Sequence, residues 1–414
     1  MAPTSAAIAG RKPRLLYMTP NEWVFWMHRR ELAMQAMERG FEVHIITPPG
    51  KHRAEFEKAG FHYHPIRLHR KSVNPLLELV AAWDTWRIMR RVRPDIVDLR
   101  ALKSHLYGGL SALACGTQRI FCAVTGLGTL FLSNALRHSL PRRIIAVPFG
   151  LFLRGNPRVT FLLENPDDRD EFTARGMAAK EQCVVMHGTG VDITRFSPAP
   201  EPEAGPDVPV IVETHCRLIR DKGVRDLMVA ARILKERGVP CHFRLAGQPD
   251  TGNPFPIFED ELRDWQEQGL VEWLGYVEDT PNFIRQAHIS CLPSYREGTP
   301  VGLMEAAACA RPIITTDAPG CRETVVAHGP HANGLLVPLR NPEALADALE
   351  TLARDPQKRQ AMGRASRKLA EEKFDAARLC TAILNLYEHS LPEIFPPDSP
   401  NSGRKSPGSP ENDL

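Results

Sequence analysis

Residues 210–248 read VIVETHCRLIRDKGVRDLMVAARILKERGVPCHFRLAGQ. The apolar, β-branched run VIVETH has the composition of a strand. From Val224 to Arg237 the period changes, and Leu227, Ala231 and Leu234 fall on one stripe of a helix. HFRLAGQ then returns to strand composition. Strand, helix and strand in so short a span predict a βαβ unit, whose two strands lie parallel.

The alternation continues on both sides of this stretch. Downstream lie VEWLGY, HISCLPS, RPIITTD and GLLVP; upstream lie RLLYMT, EVHIIT, HYHPIRL, DIVDLR, RIFCAV, RVTFLLEN and CVVMHG, with helical patterns at Glu22–Arg39 and Leu76–Arg91. Alternating βα units build parallel sheets covered by helices on both faces. The fold class is therefore α/β, with two Rossmann-like domains facing each other across a cleft. Ligands of such sheets bind outside the carboxyl ends of the strands.

The predicted first domain spans residues 1–196. Ser197–Pro209, SPAPEPEAGPDVP, has five prolines and three acids and reads as a linker. The second domain runs over 210–375, with Asn341-Pro342 capping a helix that bears Leu345, Leu349 and Leu352, and another helix near 357–373. A helix at 376–392 is expected to pack back on the first domain. Residues 393–414, rich in Pro, Ser and Gly, read as a disordered tail.

The chain has 414 residues, 43% apolar and 24% charged, which excludes a wholly disordered, collagenous or polytopic membrane protein. Its net charge of +3 is a cancellation. Residues 1–190 carry 27 Lys/Arg against 16 Asp/Glu, leaving 25 against 33 for residues 191–414. A basic half suits phosphorylated substrates, anionic lipid or nucleic acid, or is simply a solvated surface. The nine cysteines occur singly, without C-x-x-C or a zinc-ligand spacing, as in a reducing compartment. MAPTSAAIAGRKPR reverses the order of a signal peptide, so a cytoplasmic protein is expected. No run approaches the roughly 18 apolar residues of a membrane span. The longest, Ile144 to Leu153, reads as a buried helix or a segment dipping into a membrane surface.

Chemistry concentrates in Leu292–Glu305, LPSYREGTPVGLME. A strand ends near Ser294, the loop carries Glu297-Gly298, and Thr299-Pro300 suits the N-cap and first position of a helix. Free N–H groups and the positive dipole end at such a start favour a phosphate. Glu297 precedes this site and Glu305 lies about one and a half turns into the helix, although acids near a helix start also serve as dipole compensation. Arg217 and Lys222, in RLIRDKG after VIVETH, are loop cations suited to a diphosphate or to a solvated turn.

The chain resembles glycosyltransferase family 4 of the GT-B architecture, in the bacterial branch that builds capsule, O-antigen and lipid-linked glycans. The resemblance is carried, in order, by TGLGTLF, ENPDDRDEF, GTGVDITRFSP, RLIRDKG, EWLGYVED, LPSYREGTPVGLMEAAACARPIITTDAPGCRE and NGLLVP. It implies a retaining glycosyltransferase. Arg217 and Lys222 would bind the donor diphosphate, and Glu297 would face the reacting sugar carbon. Glu305 would accept hydrogen bonds from the ribose hydroxyls. Gly298, Thr299, Pro300 and Val301 would approach the sugar and phosphates, with the base against Tyr276, Val277 and Pro293. Retention would follow same-face attack by the acceptor hydroxyl on the departing donor, or double displacement through Glu297. No metal or other cofactor is implied as obligatory.

By the same resemblance the first domain holds the acceptor. Gly126, Gly128, Thr125 and Lys103 are candidate cleft-lining residues, Lys103 being equally suited to a surface salt bridge. Thr125 stands where many members carry a histidine, and MTPNEWVF at Met18–Phe25 lacks the glycines common in that loop. Asn165 before Pro166 reads as a helix N-cap; Gly188, Gly190 and Asp192 read as a hinge or a turn. His28, His215 and His331 are read as structural. The implied partners are a nucleotide-sugar donor, UDP-linked with an N-acetylhexosamine or hexose, and a polyprenyl-diphosphate-linked saccharide acceptor. An anionic membrane surface at the cytoplasmic face of the inner membrane would attract Arg67, Arg70, Lys71, Arg87, Arg90, Arg91, Arg93, Arg137, Arg142 and Arg143. A GT-B sugar-nucleotide epimerase or a non-catalytic nucleotide-sugar binder are the alternatives. A dinucleotide oxidoreductase lacks its G-x-G-x-x-G, and nucleic-acid binding has charge alone in its favour.

Overall fold

Every strand-like run in the sequence is a strand, and the strands form two parallel sheets. The computed structural model describes residues 11–69, 72, 74–125, 149–203 and 208–395. They divide into two units, one of residues up to Thr189 together with those from Arg378, the other Gly190–Ala377. In the first unit β1 (Arg14–Met18), β2 (Glu42–Thr47), β3 (His62–Pro65), β4 (Ile96–Arg100), β5 (Arg119–Val124), β6 (Val159–Leu163) and β7 (Cys183–Val185) are ordered β3-β2-β1-β4-β5-β6-β7. The second unit has β8 (Val210–His215), β9 (Cys241–Ala246), β10 (Glu272–Gly275), β11 (Ile289–Leu292), β12 (Ile313–Thr316) and β13 (Gly334–Val337), ordered β10-β9-β8-β11-β12-β13. Strand order reverses beside β1 and beside β8. The loops that follow β8 and β11 therefore leave the second sheet as neighbours, which is where such folds bind ligands.

Each sheet is buried on both faces. The stripe of the helix Val224–Glu236 covers one face of the second sheet, where Leu227, Ala231 and Leu234 pack with Val210, Val212, Phe243 and Leu245. In the first unit, Leu384 and Tyr387 of the helix Ala376–His389 join Tyr17, Phe25 and Phe121. Beneath them Asp98 of β4 receives two hydrogen bonds from Arg100, at 2.8 and 3.0 Å, and a third from the Tyr387 hydroxyl.

Several boundaries differ from those read in the sequence. Glu22–Arg39 is two helices, Glu22–His28 and Arg30–Glu38, because Arg29 leaves helical geometry at φ −132° and its side chain is buried. Residues 190–196 belong to the second unit, where Val191 pairs in parallel with Asp375. The proline-rich stretch is no free linker, since Arg311 donates to the carbonyls of Ala199 and Pro200 and Arg359 to Glu201, within the second unit. Of the segment read as a tail, Ile394 and Phe395 are packed in the first unit, with Phe395 5.2 Å from Phe41 in ring-to-ring contact, and residues 396–414 lie outside the described residues. Asn165 and Asn341 both cap their helices through their side chains.

Arg70, Lys71, Gly126, Gly128, Arg137, Arg142, Arg143 and residues 144–148 lie outside the described residues. The described end of that apolar run, Phe149–Leu153, is a π-type turn that buries Leu153 in the core of the first unit. No helix among the described residues is long and apolar enough to cross a membrane.

Candidate functional site

Two loops at the switch point of the second sheet build the site. Gly223 closes the loop after β8 at φ +70°, and any side chain there would strike the backbone carbonyl of Pro293 in the loop after β11. Glycine is thus required both for its backbone conformation and for this approach. The Tyr295 amide donates to the Asp221 carbonyl at 2.8 Å and locks the loops together.

That junction brings Lys222 to Glu297. The Lys222 ammonium donates to Glu297 Oε1 at 2.5 Å, and the Ser294 hydroxyl donates to the same oxygen at 2.6 Å. Burial opposes the charge on Lys222, yet Glu297 outweighs it and raises the ammonium above its usual value. Lys222 is a fixed cation at neutral pH. Cys216 lies within reach of the charges of Lys222, Glu297, Glu213 and Arg217, but burial dominates and pushes its thiol up to about 12, so it is no nucleophile there.

The following helix begins at Val301, one residue later than its sequence suggests. Pro300 is the N-cap and makes no side-chain cap, so Thr299 is a buried loop residue rather than the cap. A proline cap has no side-chain oxygen to offer the first amides, as an anion-binding helix start requires. Gly298, Thr299 and Pro300 lead into this start, and Val301 is its first residue.

Glu305 is the fifth residue of the helix and meets His215 at the end of β8. His215 Nε2 lies 3.0 Å from Glu305 Oε2, and Nδ1 lies 2.8 Å from Glu213 Oε2. Burial alone would discharge the ring, but the two carboxylates raise it to about 10. It is an imidazolium that donates from both nitrogens.

Arg217 stands apart from the Lys222–Glu297 pair. Its side chain is 61% exposed and donates to Asp250 at 3.0 Å. Tyr276 is exposed just beyond β10, Val277 packs beneath it against the core, and Pro293 is buried against Gly223. Sequence reasoning missed Ser294 and set His215 aside as structural. The strand period carried the second signal, since Glu213 and His215, two apart, share one face of β8.

In the first unit, Lys103 makes the salt bridge that its sequence suited equally well. Its ammonium donates to the carbonyls of His69 and Ser72 and to Glu78, at 2.9, 2.6 and 2.8 Å. All three protons of the group are used in tying that segment to the helix Pro75–Val92. Thr125 borders a small cavity with Arg29, Arg100, Glu164 and Gly188 at the carboxyl ends of the strands. A larger cavity of about 660 Å³ opens past the ends of β1, β2 and β3, lined by Pro20, Asn21, Pro48, Leu68, His69, Ser72 and Leu77.

Comparison with known proteins agrees with this architecture. Residues 27–147 match the family described as Glycosyltransferase Family 4, and residues 210–355 match Glycosyl transferases group 1. The chain is 24% identical over 366 residues, 86% of its length and 93% of the relative's, to a Campylobacter jejuni enzyme. That enzyme is N,N'-diacetylbacillosaminyl-diphospho-undecaprenol alpha-1,3-N-acetylgalactosaminyltransferase. It is 28% identical to the capsular polysaccharide biosynthesis glycosyltransferase CapM of Staphylococcus aureus, over 43% of this chain and 45% of CapM. Among solved structures, Anabaena HepE in complex with UDP and glucose superposes with a TM-score of 0.71 at 17% identity, covering 90% of this chain and 98% of HepE.

Proposed function

We propose, on the premise that the chain belongs to glycosyltransferase family 4 and has the GT-B fold, that it moves a sugar from a UDP-linked donor to a lipid-linked saccharide with retention of configuration. The observation that carries this reading is the partly buried Lys222–Glu297 pair beside the start of the helix Val301–Ala308, whose N-cap Pro300 makes no side-chain cap. The donor diphosphate would take the place of Glu297 as partner of Lys222. Glu297, released, would turn to the hydroxyls of the hexose. Arg217 would leave Asp250 to fork onto the same diphosphate, and the amides at the helix start would meet its remaining charge. Fixed cations and dipoles of this kind stabilise a leaving group as its charge develops, and they need no obligatory metal.

The acceptor we infer is a saccharide on a polyprenyl diphosphate, a reading supported by the lipid-linked substrate named for the Campylobacter relative. The pathway would be one of cell-surface polysaccharide or lipid-linked glycan synthesis. A panel of nucleotide sugars with such an acceptor tests this by nucleotide release, with and without EDTA. A UDP-hexose or UDP-N-acetylhexosamine should give acceptor-dependent release that survives EDTA and is lost in Glu297→Ala. Release untouched by Glu297→Ala would sink the site.

Such an acceptor requires the protein to meet the cytoplasmic face of a membrane. The helix Pro75–Val92 supports this, because Leu76, Leu79, Trp83, Arg87 and Arg90 are all exposed and follow one stripe, apolar first and basic after. Arg67 adds little, since Asp84 holds both arms of its guanidinium at 2.8 Å. Wild type should sediment at low salt with vesicles containing phosphatidylglycerol but not with neutral ones. Trp83→Ser should weaken that binding about 10-fold or more, in line with loss of most of a buried aromatic. Equal sedimentation by both proteins would remove this surface from the proposal.

A further inference from the structure

We propose that His215 is a positioning residue for the nucleotide: clamped by Glu213, it holds Oε2 of Glu305 and leaves Oε1 to accept the ribose hydroxyls of the donor. This rests on the reading of Glu305 as the ribose acceptor.

Three carboxylate and imidazole groups lie in a row, Glu213–His215–Glu305, with contacts of 2.8 and 3.0 Å. Glu213 is fully buried in the sheet, and its Oε1 has no hydrogen-bond partner among the described residues, so the His215 ring is what its carboxylate is anchored to. The Phe283 ring meets His215 edge-on at 6.3 Å and limits its movement on another side. An imidazole held at both nitrogens has one orientation. It therefore fixes in turn the rotamer of a glutamate that would otherwise turn about three bonds.

Dipole compensation does not explain Glu305. As the fifth helical residue it lies past the first turn, where the field of the helix end fades. The helix also makes room for the ring, since a Cβ on Gly302 would lie 2.8 Å from His215 Nε2 and 3.1 Å from the His215 carbonyl. Gly302 has ordinary helical geometry, so its lack of a side chain is explained by the clamp and not by backbone conformation.

The test compares UDP with 2′,3′-dideoxy-UDP on the full chain by calorimetry, with donor KM and kcat alongside. Hydrogen bonds to a carboxylate predict a preference for UDP of about 10- to 100-fold in wild type. Glu305→Gln should remove most of that preference, which tests the reading of Glu305 itself. His215→Phe keeps a ring without N–H groups, and should also lose most of it, raising donor KM while kcat changes little. Because that variant strands the buried Glu213, the double variant Glu213→Gln/His215→Phe repeats the test without the stranded charge. Gly302→Ala repeats it by displacing the ring with all charges intact.

If Glu305→Gln loses the preference while the double variant and Gly302→Ala keep it, His215 merely neutralises Glu213 and the inference fails alone. If Glu305→Gln keeps the preference, the ribose reading falls and takes the inference with it. A loss in all of them, with each variant folded, supports both.

Discussion

Lys222→Ala should reduce acceptor-dependent turnover by about 10²- to 10³-fold, the range seen when one fixed stabiliser of a developing anion is removed. The size follows from where the ammonium sits. It is fixed by a tight loop that only Gly223 permits, is largely out of water, and is paired with Glu297 at 2.5 Å. A surface lysine would be replaced by solvent at little cost, but a preorganised, largely shielded cation is not.

The same geometry gives a pH dependence. Burial lowers Lys222 and Glu297 raises it, with a net rise above the ordinary value of 10.5. For a group raised in the folded protein, the stabilisation is complete below the ordinary value and is lost as pH climbs through the higher folded one. In Glu297→Gln the main support of the charge is gone while burial, the largest influence, and Arg217 still oppose it, so the ammonium loses its proton at lower pH. Donor affinity measured against pH should then fall off on the alkaline side earlier than in wild type. Turnover of Lys222→Ala within a few-fold of wild type, or an unmoved alkaline limb in Glu297→Gln, would overturn the role given to this lysine.

What the sequence made legible was what local chemistry determines. β-branched runs mark the strands, and the apolar stripe at Leu227, Ala231 and Leu234 finds its sheet. RLIRDKG and LPSYREGTPVGLME were readable because glycines and charges recur at fixed offsets in loops that must touch. The remainder depends on partners far along the chain. Ser197–Pro209 has a linker's composition because prolines lack N–H groups, yet the Pro200 carbonyl accepts from Arg311 and the Glu201 carboxylate from Arg359, donors that come more than a hundred residues later. Charge counting overstates the free cations of the first half for a related reason. Arg11 is held by Asp95, Arg67 by Asp84 and Arg100 by Asp98, pairings that no composition records. His215 escaped because a histidine's meaning lies in what faces its two nitrogens, and one of those partners sits ninety residues away.

Asp98→Ala should be the most destabilising change in the first unit, at about 3–5 kcal/mol, the cost of breaking a buried ion pair from one side. Asp98 is fully buried and holds Arg100 through two hydrogen bonds of 2.8 and 3.0 Å, with Glu164 a further, weaker support of its charge. Burial disfavours the charge on Arg100, while Asp98 more than restores it. Arg29, buried nearby, is lowered by burial and by Arg100 and supported by Asp98. Alanine therefore leaves two buried like charges, Arg29 and Arg100, with the main carboxylate between them removed and only the weaker effect of Glu164 on Arg100 left. It also removes the acceptor of the Tyr387 hydroxyl, the polar tie between β4 and the helix Ala376–His389. For a unit of this size the melting temperature should fall by roughly 10 °C. Tyr387→Phe should cost only about 1–2 kcal/mol, because it removes a neutral donor and leaves the ion pair intact. The double variant should lose less than the sum of the two, since the hydroxyl bond can be broken only once. Thermal unfolding of the three variants followed by circular dichroism measures all of this, and an Asp98→Ala protein that melts within 2–3 °C of wild type, the shift expected for about 1 kcal/mol, would mean that the pair contributes no more than an exposed one.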